Sequence, residues 1–344
     1  PFTTEKTPSF TVSDEKRFYH CFSSGEHGNI FDFVMKTQSI KFGEAVRMLA
    51  SQAGMQPYKF SKFDAEKEKR YETYKEILKD FTEYHHKMIL SKDTSALHYL
   101  QKRGINKSTI SEFKIGFVPY NSEFYKVVSR KFSTKEIIET GLFFRDEKRD
   151  RFINRFSSRI IFPIKNIVGD VIAFGGRIIK DGKYAKYINS PETEFFKKGR
   201  QLYNLNLAKE VRTESNEVII VEGYMDVLSL YSKGIKNVIS NSGTALTESQ
   251  INLIWKFFTN PIICLDGDES GQKAALRIAE RLFPLINENS KIFFSILPKG
   301  KDPDDIIKNG KTGFLEILKQ KIIIQTFIWE KLLNDVNTNN PYEI

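Results

Sequence analysis

Six carboxylates in this chain stand where short apolar runs end. Glu222 follows the run 218–221, and Asp226 lies one helical turn further on, so both can face one site. Asp266 and Asp268 follow the run 261–265, and Gly267 between them lets the chain turn sharply. Asp302 and Asp304 follow the run 291–297 after a Pro-Lys-Gly-Lys turn. Carboxylates gathered at one edge repel each other unless cations neutralise them. Hard oxygen donors suit Mg2+ or Mn2+, and two such ions can activate an attacking oxygen and stabilise a leaving one in phosphoryl transfer. A lone Asp-Gly-Asp is an ordinary loop or cap feature. Three acidic pairs at successive strand ends are the pattern of a metal centre.

A second set of residues is basic. Arg155-Phe156-Ser157-Ser158-Arg159 is followed by Phe174-Gly175-Gly176-Arg177, by Lys186-Tyr187-Ile188-Asn189, and by Lys197-Lys198-Gly199-Arg200. Cations interleaved with aromatic rings suit a single strand, because charge tracks phosphates and ring faces stack bases. The charge count by segment sharpens this. Residues 145–212 hold 16 Lys+Arg and 8 Asp+Glu, a net of +8, whereas residues 213–310 hold 10 and 13, a net of −3. Residues 1–144 contribute +5 (23 against 18) and residues 311–344 balance at 4 and 4, which completes the overall +10. A basic block feeding an acidic one is the layout of a polyanion track beside a metal site.

These groups need elements to hold them. Apolar runs at 218–221, 237–240, 261–265 and 291–297 read as buried strands, and 224–232, 247–258 and 270–282 read as the helices between them. Strands alternating with helices imply a mostly parallel sheet covered on both faces, with ligands beyond the carboxyl ends of the strands. Upstream, 159–164 and 168–174 read as strands, with Gly175-Gly176 as a turn. Tyr71, Tyr74, Leu78, Phe81, Tyr84 and Met88 recur at helical spacing, and residues 94–103 read as a shorter helix ended by Gly104. Residues 1–56 are turn-rich with strand-like runs at 9–12 and 17–22 and helices at 29–35 and 41–53; the charged stretch 57–70 reads as a linker or the start of a helix, and 334–340 as a polar tail.

Composition excludes several classes. With 40% hydrophobic residues and 29 Phe among 344, the chain is not disordered. It has no run of about 18 apolar residues for a membrane span and no secretory leader. Cys21 and Cys264 cannot build a disulfide scaffold, which places the chain in a reducing cytoplasm, and an opening Pro1 in place of Met reads as a fragment.

The runs Val221-Glu222-Gly223-Tyr224-Met225-Asp226-Val227, Gly243-Thr244-Ala245, Leu265-Asp266-Gly267-Asp268 and Lys301-Asp302-Pro303-Asp304 resemble the successive motifs of a Toprim domain, in the version carried by bacterial DnaG-type DNA primases. The resemblance implies a multidomain α/β protein: a zinc-ribbon-like domain over 1–56, a basic mixed α+β subdomain over 71–212, a catalytic Toprim subdomain over 213–310, and a helical segment over 311–344. It implies Glu222 as acid/base and Asp226, Asp266, Asp268, Asp302 and Asp304 as ligands of Mg2+ or Mn2+. Ser270 stands where the family usually has Ala. It also implies Arg155, Arg159, Arg177, Lys186 and Lys198 as nucleic-acid or nucleotide contacts, with Lys301 poised for a triphosphate. The expected activity is synthesis of short RNA primers on single-stranded DNA from ribonucleoside triphosphates, with a replicative helicase engaged through a domain beyond Ile344.

The ribbon departs from its family. Pro1-Phe2 and Tyr19-His20-Cys21-Phe22-Ser23-Ser24 match its two knuckles, but Thr3 stands at the His position and Ser24 at a Cys position, and the first Cys falls before Pro1. A structural zinc site needs four S or N ligands. Cys21 alone remains, with His20 and His27 as the nearest substitutes, and the expectation is a Phe-rich ribbon without zinc. Arg17, Phe18, Tyr19 and Lys36 are its candidate template-reading residues. Two other readings compete with primase. A Toprim nuclease would lack the 1–56 and 175–203 segments, and a topoisomerase would need a nucleophilic Tyr on another domain, whereas Tyr224 heads a helix where packing explains it. A non-enzymatic binding module leaves the six strand-end acids unexplained.

Overall fold

A computed structural model describes residues 2, 8–14, 17–55, 62–91, 95–148, 150–179, 184–211, 216–243, 245–288, 290–308 and 310–335. Thr3, Thr244, Gln56, residues 57–61 of the stretch expected as linker or helix start, and the tail beyond 335 lie outside the described residues. The chain divides into two compact units, Pro1–Arg70 and Tyr71–Ile344.

In the first unit, β1 (Phe10–Ser13), β2 (Phe18–Cys21) and β3 (His27–Gly28) form an antiparallel sheet. They are followed by α1 (Ile30–Gln38) and α2 (Phe42–Gln52). Asn29 starts α1 with a reciprocal capping box: its side chain accepts from the Phe31 and Asp32 amides while Asp32 accepts from the Asn29 amide. Phe2, Phe10, Tyr19 and Phe33 close on one another with ring centroids between 5.3 and 6.1 Å apart. That aromatic cluster is the core of this small unit.

α3 spans Lys62–Leu90, so of the two readings of the charged stretch, linker or helix start, residues 62–70 take the helix. In the second unit α4 (Ser95–Lys102) and α5 (Lys107–Glu112) lead to β4 (Gly116–Val118), then α6 (Phe124–Val128) and α7 (Thr134–Glu139). A hairpin of β5 (Phe143–Asp146) and β6 (Arg151–Asn154) precedes β7 (Arg159–Lys165), β8 (Val171–Ile178) and β9 (Tyr187–Asn189). Strands β4-β7-β8-β9 make an antiparallel sheet in that order.

Gly175 and Gly176 lie inside β8 rather than in a turn. The turn falls at 166–170, where the Asn166 side chain accepts three backbone amides. The glycines serve close approach instead. A Cβ on Gly175 would sit 2.4 Å from the Tyr224 ring, and one on Gly176 would sit 2.5 Å from Phe156.

After α8 (Leu205–Ala208) the pattern is that of a doubly wound domain. β10 (Glu217–Val221), α9 (Tyr224–Ser232), β11 (Val238–Ser240), α10 (Glu248–Trp255), β12 (Asn260–Leu265), α11 (Glu269–Leu282) and β13 (Phe293–Ile296) alternate. They continue into α12 (Pro303–Lys308), α13 (Lys311–Lys319), β14 (Ile322–Ile323) and α14 (Ile324–Asp335). The sheet order is β11-β10-β12-β13-β14, parallel except for β14. Because β11 and β12 lie on opposite sides of β10, the strand order switches at the β10–β12 pair, where a crevice opens beyond the carboxyl ends.

One buried cluster runs from Ile160, Phe162 and Ile164 of the basic sheet to Val221, Tyr224, Val227 and Leu228 of the parallel domain. The boundary expected near residue 212 therefore divides the sequence but not the core. Among the described residues no helix is long and apolar enough to cross a membrane.

Candidate metal centre and the adjoining basic sheet

Glu222 follows β10 and Asp266 follows β12, the two strands that flank the switch point. The Asp266 amide reaches Glu222 Oε1 at 3.4 Å. Three of the other acids are each held by one oxygen at the start of a helix. Asp226 Oδ2 accepts from the Gly223 amide (2.9 Å), Asp268 Oδ1 from Gly271 (2.7 Å) and Asp302 Oδ1 from Asp305 (2.6 Å). Capping therefore orients each carboxylate while leaving its second oxygen to other partners.

Two glycines make room for this. A Cβ on Gly267 would lie 2.1 Å from the Pro298 carbonyl, and one on Gly271 would lie 2.2 Å from the Asp266 carbonyl. Gly267 is absent from the positive-φ residues, so it is needed for the close approach of two loops rather than for the sharp turn expected of it. Its amide donates to the Lys301 carbonyl at 2.8 Å, tying the Asp266–Asp268 loop to the Asp302 loop.

Crowding shows in the electrostatics. Burial, followed by the Glu222 and Asp302 charges, pushes the Asp266 carboxyl up to about 7. Burial and the Asp266 and Asp302 charges lift Asp226 well above the usual carboxylate range. Burial raises Glu222 too, with Asp268 adding to it. Asp266 Oδ1 is buried without a hydrogen-bond partner. Among the described residues no three of these carboxylates offer oxygens all within 4.8 Å of one another.

Asp304 differs from the rest. It is 1% exposed, its Oδ1 accepts from Ser229 Oγ (2.6 Å), and its Oδ2 faces Arg103 Nη1 (2.8 Å) and Lys308 Nζ (3.0 Å). Both its oxygens are already engaged. Sequence reasoning missed Arg103 and Ser229, 201 and 75 positions away in the chain, because no local signal joins them to Asp304; Lys308, at i,i+4 on α12, was open to a helical-spacing reading.

The six cations separate by burial. Lys186 and Lys301 are exposed, and Arg155 and Lys198 are partly buried. Arg159 and Arg177 are each only 6% exposed. Arg159 Nη1 donates to the Lys186 carbonyl (3.2 Å), and Arg155 Nε donates to the Gly141 carbonyl (2.9 Å). Arg177 lies between two rings, 4.8 Å from the Tyr99 centroid and 5.1 Å from Tyr187, and its Nε has no partner. Among the described residues none of these three arginines pairs with a carboxylate. Burial pushes the Tyr187 hydroxyl up to about 12; Arg177 opposes the shift and Asp226 adds to it, which puts the basic sheet next to the carboxylates.

Tyr224 joins the two regions. Its ring stacks on Phe162 (5.2 Å) and stands edge-on to Tyr203 (4.8 Å), which is the packing role expected of it. In the amide orientation that satisfies both neighbours, Asn189 donates to the Tyr224 hydroxyl (2.6 Å) and accepts from Lys198 Nζ (2.9 Å).

In the first unit, Cys21 Sγ lies 3.3 Å from Ser23 Oγ and 3.9 Å from Ser9 Oγ. Hydrogen bonds from Ser23 and Ser24 lower its thiol to about 6.

A parallel α/β domain with carboxylates at its switch point, packed on a basic antiparallel sheet, defines a Toprim-type nucleic-acid protein. The comparisons narrow the class. Residues 1–65 match the CHC2 zinc finger family, residues 83–209 the N-terminal domain of the DNA primase catalytic core, and residues 219–307 the Toprim-like family. The DNA primase of Escherichia coli K12 is 36% identical over 347 residues, covering 99% of this chain and 59% of the relative. That of Rickettsia felis is 38% identical over 333 residues, covering 96% of this chain and 55% of the relative. The chain thus spans a little over half the length of these relatives. Among solved structures, the zinc-binding and RNA polymerase domains of Aquifex aeolicus primase superpose with a TM-score of 0.68 at 33% identity, covering 97% of this chain and 79% of that one. A DnaG primase catalytic domain bound to single-stranded DNA gives 0.73 at 33% identity, over 80% of this chain and 86% of that one. The chain belongs to the bacterial DnaG-type DNA primase family.

Proposed function

We propose that this chain is the polymerising part of a DNA primase, a DNA-directed RNA polymerase that makes short RNA primers on single-stranded DNA. The observation that carries this is the pairing of a crowded carboxylate centre with buried arginines that lack carboxylate partners. The first has excess negative charge and the unpartnered Asp266 Oδ1, which fits hard divalent cations. The second is what a phosphate-bearing ligand would complete, since a buried cation without a counter-ion is costly.

Asp226, Asp266, Asp268 and Asp302 are the residues that would hold Mg2+ or Mn2+, which would activate the attacking 3′-hydroxyl and stabilise charge on the leaving pyrophosphate. Glu222, whose carboxyl burial holds above its usual range, would serve as the acid/base group. Lys186, Lys198 and Lys301 would meet phosphates of the ribonucleoside triphosphate or template. Arg155, Arg159 and Arg177 would line the track from beneath. The family relationship supports a replicative helicase as partner and the cytoplasm as compartment.

For the ribbon we infer that the four-ring cluster, rather than zinc, holds the fold, because serine hydroxyls surround Cys21 and are poor zinc donors.

The test is direct. With single-stranded DNA, ribonucleotides and Mg2+, the chain should release short RNA, and Asp266→Ala or Asp268→Ala should lower synthesis by about a hundredfold or more. DNA cleavage without RNA synthesis, or full activity in both variants, overturns the reading.

A further inference from the structure

We propose that Asp304 is a positioning residue and not a metal ligand: it fastens Arg103, at the end of α4, to the rim of the carboxylate centre. Ser229 donates to its Oδ1 at 2.6 Å, and Arg103 and Lys308 meet its Oδ2 at 2.8 and 3.0 Å, so both oxygens have partners. By contrast, Asp226, Asp268 and Asp302 each spend one oxygen on a helix start, and Asp266 keeps one without any partner. A metal ion arriving at Asp304 would displace a cation that burial has already committed to it.

The fastened arginine leads somewhere. Its guanidinium lies over the Tyr99 ring at 5.8 Å, and the same ring faces Arg177 at 4.8 Å. Arg177 in turn donates to the Tyr187 hydroxyl. The sequence Asp304–Arg103–Tyr99–Arg177–Tyr187 therefore runs from α12 of the parallel domain into β8 and β9 of the basic sheet. It sets the register between the metal centre and the cations that meet phosphate. Losing the strut should loosen nucleotide binding while leaving the metal ligands in place.

The nucleotide arm of the test rests on the polymerase reading; the metal arm does not. Mn2+ binding to the whole chain, followed by the electron paramagnetic resonance of free Mn2+, should show the same number of ions for Asp304→Asn as for the native chain. Affinity should stay within about threefold, because no ligand is lost. Loss of one bound ion, or a weakening beyond about tenfold, overturns the proposal. In primer synthesis Asp304→Asn and Arg103→Gln should each raise the nucleotide KM by about tenfold, and more than they lower kcat. The double variant should be no worse than the more severe single one, both in KM and in urea unfolding. Additive effects in both measurements, or an unchanged KM for Arg103→Gln, overturn it. Arg103→Gln also covers the case in which Asp304→Asn fails to fold. If Asp266→Asn keeps full Mn2+ binding, the proposed metal centre fails, while the Arg103–Asp304 coupling in unfolding still decides the strut.

Discussion

Asp266 concentrates the electrostatic burden of the site, with an unpartnered buried oxygen and Glu222, Asp302 and Asp268 close by. Removing its charge should relieve the metal-free protein. Asp266→Asn is expected to raise the melting temperature measured in chelator and to abolish most of the stabilisation that Mg2+ gives the native chain, since a ligand that binds only the folded state stabilises it. A variant that melts earlier in chelator would show that the carboxylate is not under strain from its neighbours. The ribbon offers a second prediction at this scale. Tyr19→Ala opens a cavity in a cluster of only four rings and should cost about 3–5 kcal/mol by the usual range for large-to-small aromatic changes, enough to unfold so small a unit. Chelator should leave the native ribbon's unfolding unchanged, and metal analysis should find well under one zinc per chain.

At the scale of elements, β8 is shaped by what must lie against it. Gly175 admits the Tyr224 ring, and so the start of α9 lies close against the sheet, with Asp226 in its first turn. Gly175→Ala should cost about 1–3 kcal/mol in urea unfolding through overpacking, and should lower primer synthesis by moving α9. α3 carries a different constraint. His85 is fully buried, with Nδ1 on the Phe81 carbonyl (2.9 Å) and Nε2 on Ser122 Oγ (2.8 Å), and burial lowers its pKa to about 4. The unfolded chain binds a proton on this group near 6.5 and the folded chain only near 4, so stability is full above 6.5 and falls as pH drops through that window. The loss should approach roughly 3 kcal/mol by pH 4, and His85→Gln should flatten the stability–pH curve between 6.5 and 4.

At the scale of the whole molecule, charge is partitioned between a basic sheet and an acidic crevice that share one buried core. Single-stranded DNA binding should weaken steeply with salt, with a log–log slope of roughly −0.7 for each phosphate contacted. Lys186→Ala should weaken binding uniformly across sequences and reduce that slope by roughly one contact, because the exposed lysine can be removed without a fold penalty. Arg159→Ala should instead lower thermal stability as well, since this side chain is 6% exposed and bonds the Lys186 carbonyl across the sheet. Equal stability in both variants would show that burial does not separate the two roles.

The sequence by itself determined the parallel domain closely, because apolar runs of four to six residues with acids at their ends leave little choice of strand, face or edge. Helix α9 occupies the residues expected of it, Tyr224–Ser232. Local signals failed where the deciding partner is distant. Gly175-Gly176 has the composition of a turn, and only the Tyr224 ring, about fifty positions away in the chain, explains it as strand. The same holds at the site. The family resemblance implied Asp304 as a metal ligand; in the fold its oxygens meet Arg103, Ser229 and Lys308. A carboxylate's type and spacing show that it can bind a cation; that this one meets Arg103 depends on a side chain 201 positions away that only the folded chain brings within 3 Å.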